Sequence, residues 1–146
     1  MNSGIKAYNQ VAVHTGVNDA SPHRLIQMLL EAALEKIAKA KGFMTNKKIQ
    51  PKGENIGLAI SIIDVLRASL DMQAGGEISK NLEALYDYMT RRLTEANLKN
   101  DVAMLDEITN LLLPIKQAWD AIPEDVRAAH QQQQQMQQSK EQAAAG

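Results

Sequence analysis

The side chains of this chain that could act chemically are three histidines and seventeen carboxylates, together with one glycine pair at Gly75-Gly76. A di-iron centre in a helical bundle needs carboxylates combined with the Glu-x-x-His spacing, and no histidine here has a glutamate three residues before it. A phosphate-cradling loop needs glycines ahead of a Lys-Ser/Thr pair, or the dinucleotide-binding pattern. Ala74-Gly75-Gly76-Glu77 offers neither and reads as a turn. His23 invites comparison with histidine phosphotransfer modules, in which an imidazole is transiently phosphorylated. Those modules carry their histidine within a helix, ahead of a Lys-Gly-type pair. His23 falls in a first turn, ahead of Arg24-Leu25-Ile26, so capping or solvent exposure accounts for it better. Asp64, Asp71, Glu83 and Asp87 stand singly at helical spacings, the pattern of a solvated face rather than of an acid/base pair. With no cysteine there is no disulfide, no thiolate nucleophile and no Cys-ligated zinc, a composition that suits a reducing compartment. The expectation is a binding protein that is not an enzyme, with no catalytic residues, no metal site and no cofactor.

The elements that would position a binding surface follow from composition and period. A chain of 146 residues suffices for one domain, and a domain of this size buries roughly 68–70% of the surface its unfolded chain exposes. Its residues are 45% hydrophobic and only 3% aromatic, mainly Leu, Ile, Ala and Met, which favours helix packing over sheet packing. Sixteen basic residues against seventeen acidic ones give no summed positive field for phosphates, so no nucleic acid partner is expected. The start of the sequence lacks the apolar run of a signal peptide, and no segment reaches the ~20 apolar residues of a membrane span. A cytoplasmic protein without membrane insertion is expected.

Along the chain, Ile5, Tyr8, Val11 and Ala12 make a weak helical spacing that is marginal alone in water. Ser21-Pro22 then supplies a hydroxyl N-cap and a proline at the first helical position. Leu25, Met28, Leu29, Ala33, Ile37 and Ala40 extend one apolar stripe to about Met44, most simply read as core. Residues 46–53 read as a connection or a frayed helix start. A next helix carries Ile56, Ala59, Ile60, Ile63, Leu66 and Leu70, with Gly75-Gly76 expected to end it. Another opens at Glu77 and runs through Leu82, Leu85, Met89, Leu93 and Ala96; a last one carries Val102, Leu105, Ile108, Leu112, Ile115 and Trp119. Pro114 inside that pattern, costing about 3 kcal/mol in an uninterrupted helix, predicts a kink or break near residues 110–114. Short connections imply antiparallel neighbours. The expected fold is therefore all-α: an antiparallel four-helix bundle over residues 21–123 with a short extra N-terminal helix or cap segment. Residues 1–20 would form a mobile segment, and the glutamine-rich residues 124–146 a low-complexity tail, disordered or loosely helical, outside the core.

Several blocks carry a resemblance: Ser3-Gly4-Ile5-Lys6-Ala7-Tyr8, Ser21-Pro22-His23-Arg24-Leu25-Ile26, Gly75-Gly76-Glu77-Ile78, Asn81 through Met89, Arg91-Arg92-Leu93 and Ala96-Asn97-Leu98. With Trp119 in the last helix, their order and spacing resemble the flagellin export chaperone family, FliS, from residue 3 to about residue 122. The chain departs from that pattern at Leu30-Glu31-Ala32, where many members carry an aromatic residue, an acid and a glycine, and in Pro114 and its glutamine-rich tail. The resemblance implies a cytoplasmic bundle that binds the C-terminal disordered segment of flagellin, prevents premature polymerisation and delivers it to the flagellar type III export gate. A component of that gate becomes an expected second partner, with room left for other flagellar regulators. Ile5 and Tyr8 become candidates for covering the empty groove or docking on the gate. The tentative groove comprises Leu25, Leu29, Ile60, Ile63, Leu82, Leu85 and Met89, although one stripe of apolar residues does not separate groove from core. Asn81, Tyr86 and Asn97 are expected to hydrogen-bond between helices or within a turn. Methionines such as Met28, Met72, Met89 and Met104 would lend adaptability where exposed. The alternatives are a phosphotransfer or signalling bundle and a purely structural, oligomerising one.

Overall fold

The computed structural model describes residues 21–145, and Ile5 and Tyr8 lie outside them. The described chain consists of helices α1 (Pro22–Thr45), α2 (Ile49–Ala68), α3 (Met72–Lys99), α4 (Val102–Asp120) and α5 (Glu124–Ala145). Two or three residues join each to the next, which forces consecutive helices to run antiparallel. α1 packs on α2 and α4, and α3 packs on α2 and α4, closing a four-helix ring. The α1–α2 seam is the most extensive and the α3–α4 seam the loosest.

Local chemistry sets the helix ends. The Ser21 side chain accepts the Arg24 N–H at 3.2 Å, and Pro22 occupies the first helical position, as the sequence predicts. α2 ends earlier than expected, at Ala68, where the Ser69 hydroxyl donates to the Leu66 carbonyl at 2.7 Å. Asp71 then caps a new helix, its carboxylate accepting from the backbone of Gln73 and Ala74. Gly75-Gly76 therefore does not end α2, which stops at Ala68; it closes the short first turn begun at Met72, and the long run of α3 starts at Glu77, where a helix was expected to open. Gly76 alone breaks the helical geometry, at φ +51°, a conformation open to glycine. The Ser79 hydroxyl reaches back across this break to the Asp71 carbonyl at 2.9 Å, so closely that a Cβ on Gly75 would lie 1.8 Å from its oxygen.

Leu30 and Ile37 of α1, Ile56, Ile62 and Leu66 of α2, Leu93 of α3, and Leu105, Ile108 and Leu112 of α4 fill the centre and are essentially solvent-free. α4 runs through Pro114 without a break, where a kink or break was expected. The carbonyl left without a donor belongs to Asn110, and both residues are exposed, a position where water can take the place of the lost bond. Buried Leu112 on one side of the proline, with Ile115 and Trp119 on the other, anchors both halves to the core. The glutamine-rich segment is helical as α5, with Val126 and Met136 exposed. No described helix is long and apolar enough to cross a membrane.

Candidate partner-binding surface

Glu107 of α4 ties that helix to α3. Its carboxylate accepts the Tyr88 hydroxyl at 2.9 Å and the Arg92 Nε–H at 2.8 Å, while Arg92 also reaches Glu95 at 2.9 Å. The bond from Arg92, reinforced by that from Tyr88, holds the Glu107 carboxyl below its ordinary range. This clamp marks the facing flanks of the two helices. Leu85 and Ile78 precede Arg92 by seven and fourteen residues, and Leu111 and Ile115 follow Glu107 by four and eight, so helical periodicity carries all four along the same seam.

Toward the N-terminus of α3 and the C-terminus of α4, the apolar side chains along this seam are only partly covered. Leu82, Leu85, Leu111 and Ile115 are half-buried, and Ile78 is 71% exposed. The result is an apolar cleft floored by core residues. Among the described residues no group of three His, Asp or Glu side chains is arranged to hold a metal ion. Such a cleft can exclude water from an apolar segment; it has no group to cleave or transfer a bond.

The opposite flank of α4 is closed against α1. The Trp119 indole donates to the His23 carbonyl at 2.9 Å, Gln27 donates to Asp120 at 2.6 Å, and Lys41 pairs with Asp106 at 2.7 Å. The His23 ring stacks on Trp119 with centroids 4.8 Å apart and planes 9° apart. His23 is therefore neither a cap nor a solvated side chain, which corrects the sequence-based expectation. Burial first, and the Arg127 charge second, push its pKa below the ordinary value. Its Nε2 is enclosed and has no hydrogen-bond partner among the described residues, a poor position for accepting a phosphoryl group.

The expected groove residues divide. Leu29, Ile63 and Met89 are at most 2% exposed and belong to the core. A partner reaches them only if the bundle opens. Leu25, Ile60, Leu82 and Leu85 are half-buried. Of these, Leu82 and Leu85 share the α3–α4 cleft. Ile60 lies one heptad before Arg67, which pairs with Glu83 and Asp87 across the α2–α3 seam, and Leu25 lies in the first half of α1. Sequence reasoning left Ile78, Leu111 and Ile115 out of the groove; their spacing is that of any core stripe, and only the loose α3–α4 seam distinguishes them. Asn81 is exposed, Asn97 contributes its backbone carbonyl to Lys52, and the Tyr86 hydroxyl makes no hydrogen bond among the described residues. Of the scattered acids, Asp71 is a helix cap, Glu83 and Asp87 pair with Arg67, and partial burial raises the Asp64 pKa.

A ring of four helices, with part-covered apolar side chains along its least extensive seam, defines a helical-bundle protein. Comparison with known proteins identifies which kind. The family model for flagellar protein FliS matches residues 4–126, so the chain belongs to the FliS family. It is 50% identical over 118 residues to the flagellar secretion chaperone FliSB of Pseudomonas aeruginosa, covering 81% of this chain and 94% of the relative. The flagellar secretion chaperone FliS of Salmonella typhimurium is 49% identical over 121 residues (82% and 90%), and that of Bacillus subtilis 36% identical over 125 residues (85% and 90%). These relatives are named as chaperones, a non-enzymatic class, in agreement with the sequence.

Proposed function

We propose that this chain is a cytoplasmic export chaperone that binds the C-terminal disordered segment of flagellin, prevents its premature polymerisation and delivers it to the flagellar type III export gate. The observation that carries this reading is the α3–α4 seam, the least extensive of the four and lined by the half-buried Leu82, Leu85, Leu111 and Ile115, within a chain of the FliS family. A disordered amphipathic segment folds as it lays apolar side chains into such a seam, and so hides the surface that would drive polymerisation. Leu82 and Leu85 on one wall, and Leu111 and Ile115 on the other, are the residues assigned to the contact; Leu25 and Ile60 extend the apolar surface on neighbouring flanks. Ile5 and Tyr8 are assigned to covering the empty groove or to docking on the gate.

The test is calorimetric titration of the full chain with the C-terminal segment of flagellin from the same source, beside the N-terminal segment. One-to-one binding of the C-terminal segment with a large negative heat-capacity change is expected, the mark of apolar burial and coupled folding. Replacing Leu82 and Leu85 together by serine should weaken it at least about tenfold, since central apolar contacts dominate such interfaces. Equal affinity for both segments, or none for either, defeats the proposal.

A further inference from the structure

Side-chain hydrogen bonds between helices are spread unevenly over the ring. α1 and α4 are tied at both ends, by Trp119 to the His23 carbonyl and Gln27 to Asp120 at one, and by Lys41 to Asp106 at the other. α2 and α3 are likewise tied at both ends, by Lys52 to the Asn97 carbonyl and by Arg67 to Glu83 and Asp87. Across the α3–α4 seam, every side-chain hydrogen bond among the described residues ends on one carboxylate, that of Glu107. This is also the least extensive seam, so packing restrains it least.

The two oxygens of Glu107 are used separately: Oε2 accepts from the Tyr88 hydroxyl at 2.9 Å and Oε1 from the Arg92 Nε–H at 2.8 Å. The donors stand one helical turn apart on α3, so one side chain of α4 is gripped from two successive turns, which fixes both its height and its rotation against α3. Arg92 is itself held from the other side: its Nη1 donates to Glu95 at 2.9 Å, and Glu95 accepts from Lys99 at 2.7 Å. The chain joins α3 to α4 only at Asn100 and Asp101. Leu85 and Leu82 lie on the far side of the bridge from that turn, about 4.5 and 9 Å along α3 from Tyr88, and Leu111 and Ile115 lie about 6 and 12 Å along α4 from Glu107. The part-covered side chains thus occupy the stretch of seam that has neither a connecting turn nor, among the described residues, a side-chain bond of its own. Half-exposed ion pairs add little to stability. A fixed spacing between two apolar rows, by contrast, removes ordering that a partner would otherwise have to supply on binding.

We infer that Glu107 is a positioning residue for partner binding: by gripping Tyr88 and Arg92 it sets the spacing and orientation of α3 and α4 at which Leu82, Leu85, Leu111 and Ile115 receive an apolar segment. This inference rests on the reading of that surface as the flagellin contact; Glu107 acts through the two helices and not by touching the segment.

The test compares the full native chain with Glu107→Gln, Arg92→Gln and the double variant. Asp106→Asn is the control, since it removes the neighbouring carboxylate of α4 and its pair with Lys41 on the opposite flank. Methyl NMR spectra of the isotopically labelled free proteins come first. Glu107→Gln should move the methyl resonances of Leu82, Leu85, Leu111 and Ile115, although Ile115 lies two turns away, and Asp106→Asn should leave them in place. Titration with the flagellin C-terminal segment, well below the melting temperature of every variant, should then show affinity lowered about five- to tenfold in Glu107→Gln and in Arg92→Gln. The double variant should lose no more than Glu107→Gln alone, because both changes break the same bridge. Unmoved methyls in free Glu107→Gln, full affinity despite moved methyls, an equal loss in Asp106→Asn, or additive losses in the double variant would each overturn the inference. If the native chain binds no flagellin segment, the proposed function fails, and the methyl shifts alone decide whether Glu107 positions these side chains.

Discussion

Tyr86 offers a quantitative check on the packing of α3. Its side chain is 3% exposed in the core between two cleft-lining turns, and burial pushes its pKa from 10.0 up to about 12. Ionisation of the hydroxyl is thus harder in the folded chain than in the unfolded one. Below pH 10 both states are protonated and the group contributes no pH dependence. As pH rises from 10 toward 12 the unfolded chain loses its proton first, so stability falls across that window. At pH 11 the unfolded tyrosine is roughly tenfold more ionised in its partition than the folded one, which corresponds to about 1.4 kcal/mol. Tyr86→Phe keeps the ring and removes the proton. Urea unfolding of the native chain and of Tyr86→Phe at pH 8, 10 and 11 isolates the effect, since lysine titration is common to both. The two should differ little at pH 8, because the hydroxyl has no hydrogen-bond partner among the described residues, and the variant should be the more stable by about 1 kcal/mol at pH 11. Curves that stay parallel across the series would show that Tyr86 is solvated, and a variant destabilised by several kcal/mol at pH 8 would show that its hydroxyl ties helices together.

Three further outcomes follow from the same packing. Met89→Ala should cost about 2–5 kcal/mol in chemical denaturation, because Met89 is fully buried; weakened flagellin-segment binding at unchanged stability would return Met89 to the groove. Pro114→Ala should raise stability by about 1–3 kcal/mol, since α4 is already continuous there and regains a donor for the Asn110 carbonyl; an unchanged or lower urea midpoint would show that the proline is accommodated without cost. The lowered pKa of His23 means that, as pH falls through its ordinary value of 6.5 toward the folded value, the unfolded chain takes up the proton first and stability declines, with no dependence above that range. His23→Phe should lose this slope between pH 7.5 and 5, and an identical slope in both proteins would place the imidazole in water.

The bundle was legible because its signals are local. Ser21-Pro22 reads as a helix start wherever it folds, since a side-chain oxygen three residues before an orphan N–H needs no tertiary help. Gly75-Gly76 marks the break before the long run of α3 but does not end α2, because a glycine pair specifies conformational freedom rather than a particular end. Asp71 had already started α3, and Ser79 then bridged the break at Gly76. Pro114 leaves α4 unbroken because the carbonyl it orphans, on Asn110, stands at an exposed position and the helix is anchored to the core on both sides of it.

The sequence by itself determined the helical class, the order of the four helices, the absence of any spacing suited to metal or phosphate chemistry, and the family resemblance, all properties of residue type and short-range period. Tertiary structure alone decided which stripe residues form surface. Leu29, Ile63 and Met89 carry the same apolar signature as Leu82 and Leu85, yet the first three lie in the sealed centre and the last two line an opening. That difference goes with how extensively neighbouring helices pack: the α1–α2 seam is the most extensive, and the α3–α4 seam, bridged at Glu107, the least. Helical periodicity specifies the direction in which a side chain points, and only the distance to the next helix determines whether water remains there.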